Sequence, residues 1–147
     1  MHAIFIRAAI AAALFAVVAP VAKSQSAGEI SVQVTGLRDD DGNVRCGLYN
    51  SPDTFHKPGL QFRGALGKIS GGSATCRFED VPPGTYAVAL FHAEHNETKM
   101  EFGLFGQPKQ GYGFSRNPDT TFGAPDFPDA SFDFPGGKQV VPVTVKY

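Results

Sequence analysis

The sequence predicts an all-β protein built as an antiparallel β-sandwich, with one long irregular loop rich in aromatic residues, glycine and proline. Several short segments alternate apolar and polar residues, which is the period of a half-buried strand. Clusters of glycine, proline, asparagine and aspartate separate these segments, as expected of turns between strands. Between residues 100 and 137, by contrast, the aromatic residues follow no period.

The N-terminal segment is predicted to be a cleaved secretion signal, residues 1–24. Arg7 supplies a short positive region, and an alanine-rich apolar run follows at residues 8–19. That run is shorter than the roughly 20 residues of a membrane span but fits the apolar core of a signal peptide. Small residues place cleavage after Ser24, or as late as after Ser26. We therefore expect a periplasmic or extracellular protein; the alternative for this segment is a membrane anchor or a buried helix.

The remaining residues, 25–147, have the size of one ordinary domain, and we expect a single β-sandwich domain there. No second long apolar run follows the signal, so no membrane span is expected in the mature chain. The formal net charge is −1 at pH 7, and the Lys and Arg residues are scattered. This composition argues against nucleic acid as a partner and leaves an unknown small ligand or an envelope partner.

Alternation predicts a series of strands along the domain. They cover residues 30–35, 44–49, 65–70, 74–79, 86–91 and 140–147. The strand at 86–91 has apolar residues on both faces, which is typical of a central strand. Pro142 limits the last strand to a sheet edge or a bulge, because proline lacks the amide hydrogen that pairs strands. Asp-Gly at 41–42 favours a hairpin-type bend, and Val-Pro-Pro-Gly at 81–84 predicts a tight turn.

Two cysteines, Cys46 and Cys76, face the same way as the apolar residues of their strands. In an exported chain this predicts one disulfide that crosses the core or ties two neighbouring strands; the alternative is two free buried thiols. The bond would close a loop of about thirty residues and stabilise the fold by roughly 3 to 4 kcal/mol. Neither cysteine belongs to a CxxC arrangement, so redox catalysis is not expected.

The aromatic stretch between residues 100 and 137 is predicted to be an ordered loop pinned to the sandwich by its rings, because disordered segments contain few aromatics. Long ordered loops are often functional, so Tyr112, Phe114 and Phe122 are candidates for an exposed surface that binds a ligand or partner. The alternative is that these rings are buried and that the loop covers an open edge or face of a sheet.

Residues 78–88, Phe-Glu-Asp-Val-Pro-Pro-Gly-Thr-Tyr-Ala-Val, resemble a hairpin of carboxypeptidase-regulatory-like and transthyretin-like β-sandwiches. In such a hairpin the Pro-Pro-Gly corner reverses the chain, and Phe78 and Tyr86 would pack across it. The resemblance implies an immunoglobulin-like or transthyretin-like antiparallel β-sandwich. Transthyretin-like hydrolases of hydroxyisourate carry a C-terminal Tyr-Arg-Gly-Ser, whereas this chain has Val-Lys-Tyr at 145–147, so the resemblance does not extend to that activity.

A wider set of motifs spans essentially the whole mature chain. In order, these are Gly-Asn-Val at 42–44, Pro-Pro-Gly-Thr-Tyr-Ala at 82–87, Phe-Gly-Gln-Pro at 105–108, Gly-Tyr-Gly-Phe-Ser at 111–115 and Phe-Gly-Ala-Pro at 122–125. This order is similar to a bacterial secreted family known as domain of unknown function number 2141. The resemblance implies a β-sandwich located in the periplasm or outside the cell, and it implies no established activity.

The segment after the predicted central strand holds the densest group of metal-capable side chains, namely His92, Glu94, His95, Glu97 and Glu101. The family's usual stretch is similar to His-Asp-Glu-Asn-x-Asn, whereas this chain has His-Ala-Glu-His-Asn-Glu at 92–97, with fewer oxygen ligands. Imidazole together with carboxylate favours zinc or copper over calcium. On a continuing strand His92 and His95 would face opposite sides, so a shared ion requires a turn between them. The alternative is that His92 hydrogen-bonds loop backbone beside a solvated acidic rim.

The sequence contains no nucleophile elbow and no activated cysteine, so no catalytic residue is assigned and no cofactor is firmly implied. We expect an exported non-catalytic binding or structural module of unknown ligand. The alternative function is a periplasmic divalent-metal-binding protein that uses the His92–His95 region, and an uncharacterised hydrolase is a third hypothesis.

Overall fold

The computed structural model describes residues 13–20 and 26–147, and the chain from residue 28 onward is built mainly from β-strands. The strands are β1 (Gly28–Thr35), β2 (Asn43–Tyr49), β3 (Arg63–Lys68), β4 (Ala74–Val81), β5 (Gly84–Ala93), β6 (Tyr112–Phe114), β7 (Phe132–Phe134) and β8 (Lys138–Thr144). One short helix, α1 (Phe127–Ala130), precedes β7. The all-β prediction is confirmed.

Residues 13–20 are exposed and have no regular secondary structure. The rest of the predicted signal peptide, including the cleavage position after Ser24, lies outside the described residues. Export and the cleavage position therefore stay predictions. Within the described ranges, no helix has the length and the apolar character needed to cross a membrane.

The strands form two sheets that enclose a common core. The three-stranded sheet has the order β4-β1-β8, and the five-stranded sheet has the order β3-β2-β5-β6, with β7 pairing to another part of β5. Pairing is antiparallel except between β1 and β8, which run parallel. Residues 36–137 connect these two strands, far more than the dozen or so residues that a crossover between parallel neighbours needs. The wholly antiparallel prediction is thus corrected at β8, whereas the predicted edge position of the Pro142 strand is confirmed.

Alternation along the strands decides which side chains enter this core. The buried set includes Ile30, Val32 and Val34 of β1, Val44, Cys46 and Leu48 of β2, and Tyr86, Val88 and Leu90 of β5. Each large apolar side chain buried in this way stabilises the fold by roughly 1.5 to 3 kcal/mol relative to an exposed one. The alternate residues of β2 and β5 point to the opposite, outer face of the five-stranded sheet, where the candidate site lies.

Two turns that the sequence predicts as hairpin-type bends instead carry the chain from one sheet to the other. β1 and β2 lie in different sheets, and so do β4 and β5 on either side of residues 81–84. Prolines at 82 and 83 have no amide hydrogens, so the ladder of β4 cannot continue through them. The Tyr86 ring packs against Phe62 and Phe134, at centroid distances of 5.9 and 6.4 Å, while Phe78 lies in the sandwich core.

A disulfide joins Cys46 of β2 to Cys76 of β4, with a Cα–Cα distance of 6.4 Å. Because β2 and β4 belong to different sheets, the bond crosses the core and ties the two layers together. The predicted disulfide is confirmed, and the alternative of two free thiols is wrong.

The aromatic stretch is ordered and folds back over the outer face of the five-stranded sheet. Phe114 and Phe127 join Tyr49 and Phe55 in a second buried cluster, in which the Phe55 ring centroid lies 6.0 Å from that of Phe114 and 5.7 Å from that of Phe127. This aromatic cluster covers one end of the outer face, next to Tyr49. The remainder of that face is covered only by loops that stand away from it.

Candidate functional site

A groove of about 960 Å³ lies between the outer face of the five-stranded sheet and the surrounding loops. We call it the outer groove. Its base is formed by outward-facing residues of β2, β3, β5 and β6, and its sides come from loop residues in the ranges 56–61, 98–108 and 120–124. This volume lies within the range of about 300 to 1,000 Å³ that is typical of sites for small molecules.

The floor of the outer groove is made by three small residues on adjacent strands. Gly47 of β2 pairs with Gly64 of β3 on one side and with Ala89 of β5 on the other. All three line the outer groove. Larger side chains at Gly64 and Ala89 would project from the sheet and fill the space, so the depth of the outer groove depends on these small residues. A Cβ on Gly47 would lie 2.8 Å from the Tyr49 ring, so glycine is needed there to let that ring lie against the sheet.

The walls of the outer groove are mainly aromatic and apolar. Phe91 and Tyr112, which are paired neighbours on β5 and β6, stand beside the floor. Phe102 and Phe105 contribute from the loop above, and Met100 lies beside them. An apolar lining with a few polar groups is the usual composition of a small-molecule pocket.

Two side chains bring fixed positive charge to the outer groove, Arg45 of β2 and Lys99 of the loop, and no Asp or Glu of the described residues lines it. Arg45 is half-buried and lies in register between Leu66 of β3 and Phe91 of β5. Its Nε is buried and has no hydrogen-bond partner within the described ranges. A buried donor without a partner is costly, so an anionic group arriving in the outer groove would find a prepared partner here.

A short hairpin-like loop forms one rim of the outer groove. Phe102 pairs with Pro108, and the Gly103 amide donates to the Gln107 carbonyl at 2.8 Å. At the tip of this loop, Leu104 is 98% exposed and Phe105 is 93% exposed. Exposed apolar side chains beside an apolar groove are typical of a ligand or partner surface.

The three predicted surface rings occupy three different environments. Phe122 is fully exposed, beside the groove-lining residues Thr121 and Gly123. Tyr112 is half-buried and lines the outer groove. Phe114 is 9% exposed and belongs to the aromatic cluster, so its predicted exposure is corrected. Its burial follows from the pairing of Phe114 with Ala89, which places the ring against Phe55.

The Gly-Tyr-Gly-Phe-Ser motif at 111–115 has mainly a structural role. A Cβ on Gly111 would lie 2.4 Å from the Tyr147 ring, and one on Gly113 would lie 2.6 Å from Val143. Ser115 is fully buried, where its hydroxyl accepts from the Val88 amide at 2.8 Å and donates to a backbone carbonyl of α1. The motif therefore allows β6 to approach the three-stranded sheet closely and anchors α1 to β5.

His92, the first residue of the predicted metal group, is fully buried and both of its ring nitrogens have partners. Nε2 lies 2.7 Å from the Asp41 carbonyl oxygen, and Nδ1 lies 2.7 Å from the Tyr147 hydroxyl. A carbonyl can only accept, so Nε2 carries the hydrogen and Nδ1 accepts from the tyrosine. The Tyr147 hydroxyl itself accepts from the Arg38 amide at 3.1 Å. The lone pair that would bind a metal ion is thus engaged within the protein.

Glu94 lies close to His92 but is paired with Arg38. The guanidinium donates from Nε and Nη2 to the two carboxylate oxygens at 2.5 and 2.7 Å. This hydrogen bonding from Arg38 is the main reason that the pKa of Glu94 lies below its ordinary value. Asp39, His92 and Glu94 offer ligand atoms within 4.8 Å of one another, so two of the predicted ligands, His92 and Glu94, do lie together, with Asp39 as a third.

The other predicted metal ligands do not join this group. The side chain of His95 is 85% exposed and lies 3.3 Å from Glu97. Glu101 accepts from Gln110 at 3.4 Å. No group of metal-capable side chains in the described part of the chain brings His95 or Glu101 together with His92. Metal binding stays a prediction, and the arrangement favours the alternative of a His92 that holds loop backbone.

Arg45 and Gly47 of the outer groove were not among the predicted site residues, although the sequence contains a signal for them. Arg45 and Gly47 alternate with the core-facing residues of β2, which places both on the outer face. A glycine inside a strand often marks a site where a ligand approaches the backbone closely. The pairing of Gly47 with Gly64 and Ala89 depends on strand order, which the sequence does not reveal.

No curated protein and no solved structure matches this chain. The finer description of the sandwich as immunoglobulin-like or transthyretin-like therefore stays a prediction. A family match covers residues 32–142, which include the entire outer groove and both cysteines. The chain belongs to the family described as "Uncharacterized protein conserved in bacteria (DUF2141)".

Proposed function

We propose that this protein is an exported, non-catalytic binding module that holds a small molecule in the outer groove. The observation that carries the proposal is the floor of Gly47, Gly64 and Ala89, which leaves a roomy space on the outer face of a well-packed sheet. The aromatic walls supply apolar contact to a ligand, and the exposed tip of the 102–108 loop lies where it could cover one.

The non-catalytic part of the proposal rests on the chemistry of the groove-lining residues. Their side chains are mainly apolar, and the polar ones are His56, two glutamines, three threonines, two tyrosines and the cations Arg45 and Lys99. The sequence contains no nucleophile elbow, and the two cysteines are joined in the disulfide. Such a lining is suited to holding a molecule rather than to transferring groups to it.

Binding is tested with an uncharged fluorescent probe, N-phenylnaphthylamine, titrated into the purified protein. The test variant is Gly64→Leu, because a Cβ at Gly64 meets only the Gln61 amide at 3.6 Å and the added side chain would extend into the outer groove. We expect it to weaken probe binding about tenfold or more, since it occupies volume that the probe needs.

The matched control is Gln33→Leu, which adds a leucine to an exposed position of β1 in the three-stranded sheet. It should bind the probe as the wild type does, and urea unfolding should show that both variants are folded. Equal affinity in wild type and Gly64→Leu, or an equal loss in both variants, would contradict binding in the outer groove.

Export is tested separately by expressing the full chain in a bacterium, fractionating the cells and measuring the mass of the periplasmic protein. A mature protein that begins at Gln25 or Ala27 is expected from the two predicted cleavage positions. Retention of the intact chain in the cytoplasm would contradict the proposed location.

A further inference from the structure

We infer that the ligand of the outer groove is an amphiphilic anion, a small molecule with an apolar body and a carboxylate, sulfonate or phosphate group that is held by Arg45. The inference rests on the proposed function and names the chemical class of its ligand. Three features of the outer groove lead to it: the buried Arg45 Nε without a hydrogen-bond partner, the absence of carboxylates among the described lining residues, and the position of the floor relative to Arg45.

The first feature is the contrast between Arg45 and the other arginines of the domain. Arg38 pairs with a carboxylate, and Arg63 and Arg116 donate to backbone carbonyls. Arg77 is exposed to solvent on β4. Arg45 alone among these has a buried Nε that lacks a hydrogen-bond partner in the described part of the chain. A guanidinium presents parallel donors that match the two oxygens of a carboxylate or the oxygens of a phosphate.

The second feature is the charge of the groove lining. Arg45 and Lys99 are both present, whereas no carboxylate of the described residues lines the outer groove. The whole chain has a formal net charge of only −1, so the positive lining is a local property of this surface. Low-dielectric walls such as Phe91 and Leu66 strengthen the attraction between a cation and an entering anion.

The third feature is the geometry of β2. Arg45 and Gly47 are two residues apart and face the same side, so their Cα atoms are about 7 Å apart along the strand. A ligand with its charged group on Arg45 would place an adjoining ring or chain over Ala89 and against the Tyr49 ring, which covers Gly47. The charged and apolar requirements are therefore met by one molecule of modest size.

The experiment compares two probes that share one aromatic skeleton: anilinonaphthalene sulfonate, which is an anion, and N-phenylnaphthylamine, which is uncharged. Each is titrated into wild type, Arg45→Gln and the control Arg77→Gln, which makes the same change on the outer face of the other sheet. We expect Arg45→Gln to weaken binding of the sulfonate about ten- to a hundredfold. The affinity for the uncharged probe should stay within about twofold of the wild-type value. Arg77→Gln should change neither affinity.

Ionic strength and a second variant sharpen the result. Added salt should weaken binding of the sulfonate probe more in the wild type than in Arg45→Gln, because salt screens the attraction between the sulfonate and the Arg45 guanidinium. Arg45→Met keeps the apolar stem of the side chain and serves as the test if Arg45→Gln proves unstable in urea. Lys99→Gln should have a smaller effect in the same direction, with Lys109→Gln, outside the groove lining, as its control.

The outcomes separate this inference from the proposed function. If neither probe binds the wild type, both are overturned. If both probes bind and Gly64→Leu weakens both, while Arg45→Gln leaves their ratio unchanged, the binding function stands and the anionic ligand is overturned. A selective loss of the sulfonate in Arg45→Gln supports both.

Discussion

At the scale of single residues, the buried ring of His92 connects three parts of the chain. Its Nε2 donates a hydrogen bond to the carbonyl of Asp41 in the β1–β2 connection, and its Nδ1 accepts one from the Tyr147 hydroxyl. That hydroxyl also accepts a hydrogen bond from the Arg38 amide. The guanidinium of Arg38 lies 4.7 Å from the centre of the Tyr147 ring. A histidine that is a metal candidate in the sequence thus serves in the structure as a hydrogen-bonding support for the last residue of the chain.

Replacing Tyr147 by phenylalanine should destabilise the fold by about 1 kcal/mol, because the Nδ1 atom of the fully buried His92 would lose its donor. The measurement is the free energy of unfolding in urea. Tyr112→Phe is the control, because the half-buried Tyr112 hydroxyl shares a hydrogen bond only with the side chain of Thr120. An unchanged unfolding free energy in Tyr147→Phe would show that His92 does not depend on this hydroxyl.

The ion pair of Glu94 predicts a pH dependence of stability. Hydrogen bonding from Arg38 lowers the pKa of Glu94 in the folded protein below its ordinary value of 4.5, so the unfolded chain binds the proton more readily. The stabilisation by this ion pair is complete at pH values above the ordinary pKa of Glu94. It is lost as the pH falls through the lower pKa that Glu94 has in the folded protein. The wild type should therefore be more stable than Glu94→Gln at pH 7, and the difference should vanish in acid. Urea unfolding of both proteins from pH 7 to about pH 3 measures it; a constant gap would contradict the assignment.

At the scale of secondary-structure elements, β6 and α1 are held in place by a single buried serine. The Ser115 hydroxyl accepts a hydrogen bond from the Val88 amide of β5 and donates one to the Ala130 carbonyl of α1. The aromatic cluster of Phe114 and Phe127 packs around this connection. This group of contacts fixes the end of the outer groove that lies nearest Tyr49.

Ser115→Ala should cost about 1 to 3 kcal/mol of unfolding free energy, because the buried Val88 amide would lose its acceptor. Ser131→Ala, at the end of the same helix, is the control, since that hydroxyl bonds an exposed carbonyl within its own turn. Both are measured by urea unfolding. A loss in Ser131→Ala as large as that in Ser115→Ala would mean that the buried position of Ser115 is unimportant.

The strands show how far the sequence alone predicts the structure. Alternation locates β1, β2, β4 and β5 to within about two residues, because one face of each strand is buried and the period is read directly from apolar spacing. The turn residues at 41–42 directly precede β2, and those at 81–84 mark the change from β4 to β5, as predicted. They do not reveal whether the next strand joins the same sheet, since that depends on packing between distant segments.

The site was less predictable than the strands for the same reason. Phe114 and Phe122 look alike in the sequence, yet one is buried and the other is fully exposed. Gly47, Gly64 and Ala89 are far apart along the chain and become one floor only through strand pairing. His92 and His95 were grouped by proximity in sequence, whereas the turn after β5 places His95 in solvent.

At the scale of the whole molecule, the disulfide is the one covalent link between side chains of the two sheets in the described part of the chain. Cys46 and Cys76 are 30 residues apart, and the bond joins β2, which carries Arg45 and Gly47, to β4 of the opposite sheet. A bond in this position restricts the unfolded chain and also fixes β2 beneath the outer groove.

Replacing both cysteines by alanine should lower the free energy of unfolding by about 3 to 4 kcal/mol, the value expected for a loop of this length. The comparison is made by urea unfolding of the wild type under oxidising and reducing conditions alongside the double variant. The reduced wild type and the double variant should lose similar amounts. A loss below about 1 kcal/mol in both would show that the unfolded chain gains little freedom when the bond is absent.

The alternation of side chains along β2 has a consequence for how this protein can change. Residues 44, 46 and 48 of β2 face the sandwich core, whereas Arg45 and Gly47 face the outer groove. Substitution at the first set disturbs the packing of the core, whereas substitution at Arg45 changes the lining of the outer groove. A side chain at Gly47 would meet the buried Tyr49 ring. Under the proposed function, ligand preference and folding are therefore nearly separate heritable traits, and a library randomised at 45, 64 and 89 would sample new ligands on an intact scaffold.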